Sequence, residues 1–197
     1  MAINWATRHF ERGSTLRIGL GFAIGSVCFL VGPFPGFVEL VGAEADAAVF
    51  FVGSLFFTGA ALMQAQLSGD ADRLPSLIQF AGTIYFNVDT FRAMEAAFSD
   101  SQADRLIWAP EAIGSACFLL SGVIAYRSVR AACSSPEWRI AAINLAGCVF
   151  FAISAAASYV VPKTGTALDL AAANWTTGLG ALCFLIGSVL LVRQGPS

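Results

Sequence analysis

Charge is what this chain has least of. Of its 197 residues, only 12% are Asp, Glu, Lys or Arg, whereas an ordinary soluble domain carries about 25%. So few ionisable groups cannot cover a water-facing surface, which excludes a soluble globular fold. Histidine is almost absent: His9 stands alone in the polar N-terminal stretch. That rules out haem gripped by two histidines, a histidine metal cluster, and a catalytic Ser/His pair inside a bundle. The five cysteines (Cys28, Cys117, Cys133, Cys148, Cys183) make no CxxC or Cys/His pattern. Four of them lie in apolar stretches, where a thiol behaves as a small hydrophobe, so neither a disulfide scaffold nor a metal site is expected. A G-x-S-x-G elbow, a phosphate-binding loop and a basic patch are all missing. The sequence therefore gives no reason to expect an enzyme, a cofactor or a nucleic-acid partner.

Apolar sequence fills the gap. Hydrophobic residues make up 57% of the chain, and mean hydropathy is +0.72. Inside the apolar stretches one pattern returns six times: Gly25-Ser-Val-Cys-Phe29, Gly53-Ser-Leu-Phe-Phe57, Gly82-Thr-Ile-Tyr-Phe86, Gly114-Ser-Ala-Cys-Phe118, Gly147-Cys-Val-Phe-Phe151 and Gly180-Ala-Leu-Cys-Phe184. The glycines are 28, 29, 32, 33 and 33 residues apart. A membrane crossing takes about 20 apolar residues at about 1.5 Å rise each, so this spacing is one crossing plus a short connection. The fold expected is all-α, with six transmembrane helices over Leu16–Phe34, Ala47–Gln66, Ser76–Phe98, Ala109–Arg127, Glu137–Val161 and Asn174–Val192. Residues 1–15 form an interfacial segment, 16–193 one transmembrane domain, and 194–197 a tail. The stretch from Trp5 to Arg17, with Arg8, His9, Phe10 and Arg12, reads as an interfacial anchor helix.

The breaks between crossings carry turn residues, Gly32-Pro-Phe-Pro-Gly36, Ser68-Gly-Asp-Ala-Asp72 and Ser134-Ser-Pro136. Trp5, Trp108, Trp138 and Trp175 fall at or near segment ends, where an aromatic belt places them. Counting Lys and Arg by side sets the direction. With the N-terminus inside, eight (Arg8, Arg12, Arg17, Arg73, Arg127, Arg130, Arg139, Arg193) lie inside and three (Arg92, Arg105, Lys163) outside. Both termini are therefore expected in the cytoplasm. Ala43-Glu-Ala45 resembles a signal-peptide cleavage site, but the apolar run before it is too long and shares the motif of five later segments. A multi-pass protein of a bacterial inner membrane is the reading, its partner the lipid bilayer. The bacterial source rests on the high Ala and Gly content.

The motif also works as a ruler. Residues three and seven beyond each glycine share its helix face. The +3 residues are Cys28, Phe56, Tyr85, Cys117, Phe150 and Cys183; the +7 residues are Gly32, Ala60, Asp89, Ser121, Ser154 and Gly187. Small residues on such a stripe let helices approach closely in lipid, with the phenylalanine at +4 filling the groove beside it. The third segment breaks the pattern, with Asp89 at +7 and Asn87 at +5. The ruler turns Asp89 toward a neighbouring helix. An ionised Asp near mid-membrane costs at least about 2.5–3.5 kcal/mol, which makes it the address for a site. Arg92 and Glu95 follow at three-residue steps, so an Asp89–Arg92–Glu95 ladder is expected. Gln79 and Asn144, each three residues before a motif glycine, are candidates for the same polar interior. Asn174, Thr176 and Thr177 add polar groups near the outer entrance of the sixth helix. Glu111 reads only as a first-turn acid favoured by the helix dipole.

The first hairpin, with Ile24-Gly-Ser-Val-Cys-Phe-Leu30 and Phe50-Phe-Val-Gly-Ser-Leu-Phe57, resembles the YrhK-like membrane domain, a small unit of two apolar, Gly-Ser-rich helices. The match covers residues 16–66. It implies a helical hairpin and carries no activity. Two functions are compatible with these features. One is a structural or interaction protein whose seams bind its own copies or other membrane subunits. The other is a small transporter or channel for an ion or polar solute, using Asp89 and its polar neighbours.

Overall fold

A computed structural model describes residues 5–34, 36–95 and 104–194, with backbone alone for 5–12, 104 and 105. The anchor side chains from Trp5 to Arg12 and the 194–197 tail beyond Gln194 therefore lie outside the described residues. Helix α1 runs unbroken over Trp5–Val31. A short α2 (Phe37–Val41) leads into α3 (Ala43–Leu67) and α4 (Asp70–Met94). A π-helical turn over Asp104–Trp108 opens α5 (Ala109–Val129), followed by α6 (Pro136–Ala157) and α7 (Leu170–Gln194). Strands β1 (Val160–Val161) and β2 (Thr166–Ala167) pair antiparallel between α6 and α7.

Five of the six long helices are long and apolar enough to cross a membrane, over Gly13–Val31, Ala43–Leu67, Leu106–Val129, Pro136–Ala157 and Leu170–Gln194. The protein is thus a multi-pass α-helical membrane protein. Helix α4 is as long as the others but too polar to qualify, because it carries the charged residues that set the third segment apart. Several boundaries differ from expectation by three residues or more, among them the starts of α3 at Ala43 and of α7 at Leu170 and the ends of α1 at Val31 and α4 at Met94. Two have a clear local cause. The third segment begins at Asp70, not Ser76, since Asp70 and Asp72 sit in the first turn of α4, where acids complement the helix dipole. The fifth ends at Ala157, not Val161: Val161 precedes Pro162, which disfavours helical backbone there, and joins β1 instead. The turn after α1 contains the two glycines that bound α2, Gly36 (φ 87°) and Gly42 (φ 85°), in conformations a side chain would strain.

The six long helices close into a ring. Each packs on its sequence neighbour, and α7 returns to pack on α1. Within the ring are three hairpins, α1/α3, α4/α5 and α6/α7, locked by the same reciprocal contact. A Cβ at Gly25 would lie 2.8 Å from the Phe57 ring, and one at Gly53 3.1 Å from Phe29. Gly82 faces Phe118 at 2.8 Å while Gly114 faces Phe86 at 2.9 Å. Gly180 faces Phe151 at 2.8 Å and Gly147 faces Phe184 at 3.4 Å. Each hairpin thus trades glycine for phenylalanine in both directions. Three +3 cysteines fill the same seams, Cys28 against Gly53, Cys117 against Gly82 and Cys183 against Gly147. Their recurrence is a packing device, in which a small, soft side chain fits where backbones nearly touch.

The six motif phenylalanines meet on the ring axis, all 7% exposed or less. Phe29, Phe86 and Phe151, from the first helix of each hairpin, form a triangle with ring centroids 5.8–6.2 Å apart. From the second helices, Phe184 reaches both Phe57 and Phe118 at 6.0 Å. Mostly edge-to-face geometry satisfies the ring quadrupoles. Two layers of three rings therefore close the axis, leaving a void of about 10 Å³ bordered by Ser54 and Thr83. The phenylalanines fill the bundle's centre, where the sequence placed them in grooves beside each seam.

Candidate functional site

On the side of this septum where α1 begins, here the near end, the ring opens into a chamber of about 770 Å³. All six long helices line it, and Phe118 and Phe184 from the second layer of rings form part of its wall. Gln79 and Asn144 both line this chamber, so the structure brings these two together. They hold equivalent places in α4 and α6, three residues before a motif glycine. The Asn144 amide is pressed over Gly187 of α7, in the space a Cβ would fill. Its Oδ1 is buried without a hydrogen-bond partner among the described residues.

Asp89 is elsewhere. It lies ten residues beyond Gln79 on α4, which is about 15 Å along the helix and beyond the septum. It is also only five residues before the end of α4 at Met94, so its position is toward the far end rather than the centre. Its charged neighbour is Glu111 in the first turn of α5. Glu111 in turn accepts a hydrogen bond from Ser158 Oγ at 2.7 Å, which ties α5 to the end of α6. Trp108 reinforces that junction: its Nε1 donates to the Ala155 carbonyl at 2.7 Å, and its ring meets Tyr159 edge-on at 4.9 Å.

The expected ladder is not formed. Arg92 pairs with Glu95 at 2.9 Å, and both side chains are about two-fifths exposed. They turn outward because a seam three residues away has no room for a guanidinium, whereas the helix end reaches water or headgroups. Such an exposed pair contributes about 0–1 kcal/mol and leaves Asp89 to Glu111. Asn87 faces the other neighbour, accepting from Thr58 Oγ1 of α3 at 3.2 Å. Close by, Ser54 and Thr90 hydroxyls are 3.0 Å apart. Of the polar groups at the start of α7, Thr177 joins Ser154 at 2.6 Å, Thr176 bonds back to Ala172 of its own helix, and Asn174 is exposed. The six candidate residues thus divide among a near chamber (Gln79, Asn144), a far acidic seam (Asp89), a helix contact (Asn87) and the surface (Arg92, Glu95).

Glu111 is the residue the sequence reading passed over, and the motif holds its signal. In each hairpin the +7 residue of one helix meets the residue three before the partner's glycine. Gly32 meets Phe50 and Gly187 meets Asn144, Ser154 meets Thr177, and Asp89 and Glu111 hold the same two register positions and interact electrostatically. Glu111 is three before Gly114, so counting backward as well as forward pairs the two acids. Two ionisable groups held in a buried seam beside each other are costly, first through lost hydration and then through each other, so replacing one by its amide should lower that cost. Asp89→Asn and Glu111→Gln should each raise the melting temperature in detergent, the introduced glutamine keeping an acceptor for Ser158. The double variant should gain less than the two singles combined, by about 1–2 kcal/mol. Additive single effects in that double-mutant cycle would show the carboxylates to be uncoupled.

Fold and site together define a ring-shaped helical membrane protein with an axial chamber on one side of an aromatic septum. No family model, curated protein or solved structure matches the chain.

Proposed function

We propose that this chain is a transport protein of a bacterial inner membrane, crossing it six times with both termini in the cytoplasm, that admits a small polar solute to the near chamber and passes it through the phenylalanine septum. One observation carries the reading: every long helix contributes wall to a single chamber that ends at the septum on the ring axis. Hydrophobic constrictions of this kind gate channels by excluding water until they widen. The sixth crossing is α4, whose 25 residues span about 37 Å and pack between α3 and α5. Within the span, Asn87 and Asp89 are turned to those neighbours and Gln79 to the chamber, while Leu77, Ile84 and Val88 are exposed toward lipid.

The interaction reading has less support from the seams, because the motif glycines are occupied within the hairpins. What the outside of the ring offers is large apolar side chains such as Leu20, Leu55, Leu120 and Ile153, a surface suited to lipid. The likeness of residues 16–66 to the YrhK-like unit fits this architecture, since that hairpin is one of three built alike.

Flux decides the matter. Proteoliposomes carrying the protein should pass labelled 1,4-diaminobutane, 1,4-butanediol or succinate faster than empty vesicles. Ala141→Trp, which places an indole in the chamber, should cut that flux at least about tenfold while the variant still folds. Empty-vesicle rates for all three solutes would overturn the transport reading.

A further inference from the structure

We infer that the near chamber is a binding site for a primary alkylammonium cation, a short amine or diamine. This deepens the transport reading and rests on it for its physiological meaning, though the site itself can be tested without transport. The argument begins with sign. Among the described residues lining the chamber, the charged side chains are Asp72 of α4 and Glu137 of α6, both acidic. Arg73, next to Asp72, and Arg139, two residues beyond Glu137, are exposed and do not line it. Other arginines also ring this end, but those among the described residues are exposed and outside the lining, where water and salt screen them. The charges a solute meets at contact range inside the mouth are therefore the two carboxylates, which favour a cation over an anion.

Hydrogen bonding narrows the class. Gln79 and Asn144 present amide groups at equivalent heights on α4 and α6, below those same carboxylates on the same two helices. Amide oxygens accept N–H donors, which a primary ammonium supplies three at a time and a quaternary ammonium does not. The Asn144 amide has a particular reason to engage. Its Oδ1 is buried over Gly187 with no partner among the described residues, a costly state for a polar atom. Rotation of that amide toward a bound ammonium exchanges an unpaired acceptor for a paired one. At the inner end Phe118 and Phe184 line the chamber and offer aromatic and apolar surface to the methylenes of the chain. Acid at the mouth, amides midway and aromatic carbon at the base match a charged head on a short alkyl chain.

Three probes of equal carbon count separate the terms: 1,4-diaminobutane carries the charge and donors, 1,4-butanediol donors alone, and succinate the opposite charge. Calorimetric titration of the purified full chain in detergent should show binding of diaminobutane, with butanediol and succinate weaker by about tenfold or more. Asp72→Asn and Glu137→Gln should each weaken binding about three- to fivefold, and raised salt should weaken it further, as exposed ion pairs require. Both residues are exposed, so the variants should fold, with only a small drop in melting temperature from losing the first-turn acid of each helix and, for Glu137, its bond from Gln194. Asn144→Leu, where it folds, should weaken diaminobutane, and Gln79→Leu supplies the same test from the other helix. Equal binding of diaminobutane and butanediol, or insensitivity to both carboxylate changes, would overturn the cation assignment. Flux of succinate or butanediol in preference to the diamine would overturn it too while leaving transport standing. Calorimetric binding of the diamine without flux of any probe would leave the site and remove the transport reading.

Discussion

Gly53→Val should pull the first hairpin apart and lower stability by about 3 kcal/mol, at the upper end of what overpacking costs. The reason is what stands opposite. A Cβ at Gly53 would be 2.6 Å from Cys28 Cβ, 3.1 Å from the Phe29 ring and 3.2 Å from the Gly25 carbonyl oxygen. Two of those neighbours are fixed to the backbone and cannot swing aside, and valine adds two methyl groups beyond the Cβ. In lipid the loss is felt directly, because close packing is itself the force that holds helices together. Gly59 is the control: it lies on the same helix six residues on, with nothing within 4 Å of its Cβ position. Gly59→Ala should be neutral, or stabilising by up to about 1 kcal/mol through helix propensity. Unfolding of both variants by SDS titration compares them in one experiment. Parent-like stability for Gly53→Val would mean that the reciprocal glycine–phenylalanine lock does not hold the hairpin.

The same lock explains how much could be read before any coordinates. A repeat spaced by one crossing predicts helices, their number and the face each turns to a neighbour, because in a membrane those faces must be small and must recur. Closure of the ring was not legible. The motif says that Gly25 needs a close neighbour; it does not say that α7 will return to α1. The septum was hidden for a related reason. Phe29 or Phe118 taken singly is a groove filler, and only the ring's geometry sends six of them to one axis. Asp89 stands out by its violation of the pattern, but its charged neighbour is not the one its own helix offers. Reach along one helix favoured Arg92, whereas register across the hairpin decides for Glu111. Gln79 and Asn144 were grouped with Asp89 because all three are polar, although about 15 Å of α4 separates Gln79 from Asp89. Sequence position gives depth as well as face, and depth divides these residues between the two sides of the septum.

The septum leads to the second large effect. Phe151 is the ring on which both layers converge: it contacts Phe29 at 6.0 Å, Phe86 at 5.8 Å, Phe118 at 6.3 Å and Phe184 at 5.6 Å. It is 3% exposed, so truncation leaves a cavity that its neighbours, themselves pinned against glycines, cannot collapse to fill. Phe151→Ala should therefore cost about 3 kcal/mol, at the low end for Phe→Ala, because lipid supplies no hydrophobic term for the lost ring. The functional consequence should run the other way. Removing one ring from the barrier joins the new cavity to the void beside Ser54 and Thr83. That space is then large enough for hydrogen-bonded water where about 10 Å³ held one molecule at most. A wetted constriction conducts, so solute leak through Phe151→Ala proteoliposomes should rise at least about tenfold over the parent despite lower stability. Phe22→Ala provides the comparison, since Phe22 is also buried and packs on Phe57 at 5.8 Å but is not one of the six septal rings. It should lose stability without gaining leak. Equal leak from the two variants would trace the flux to loosened structure, and an unchanged rate in Phe151→Ala would show that the septum does not set the barrier.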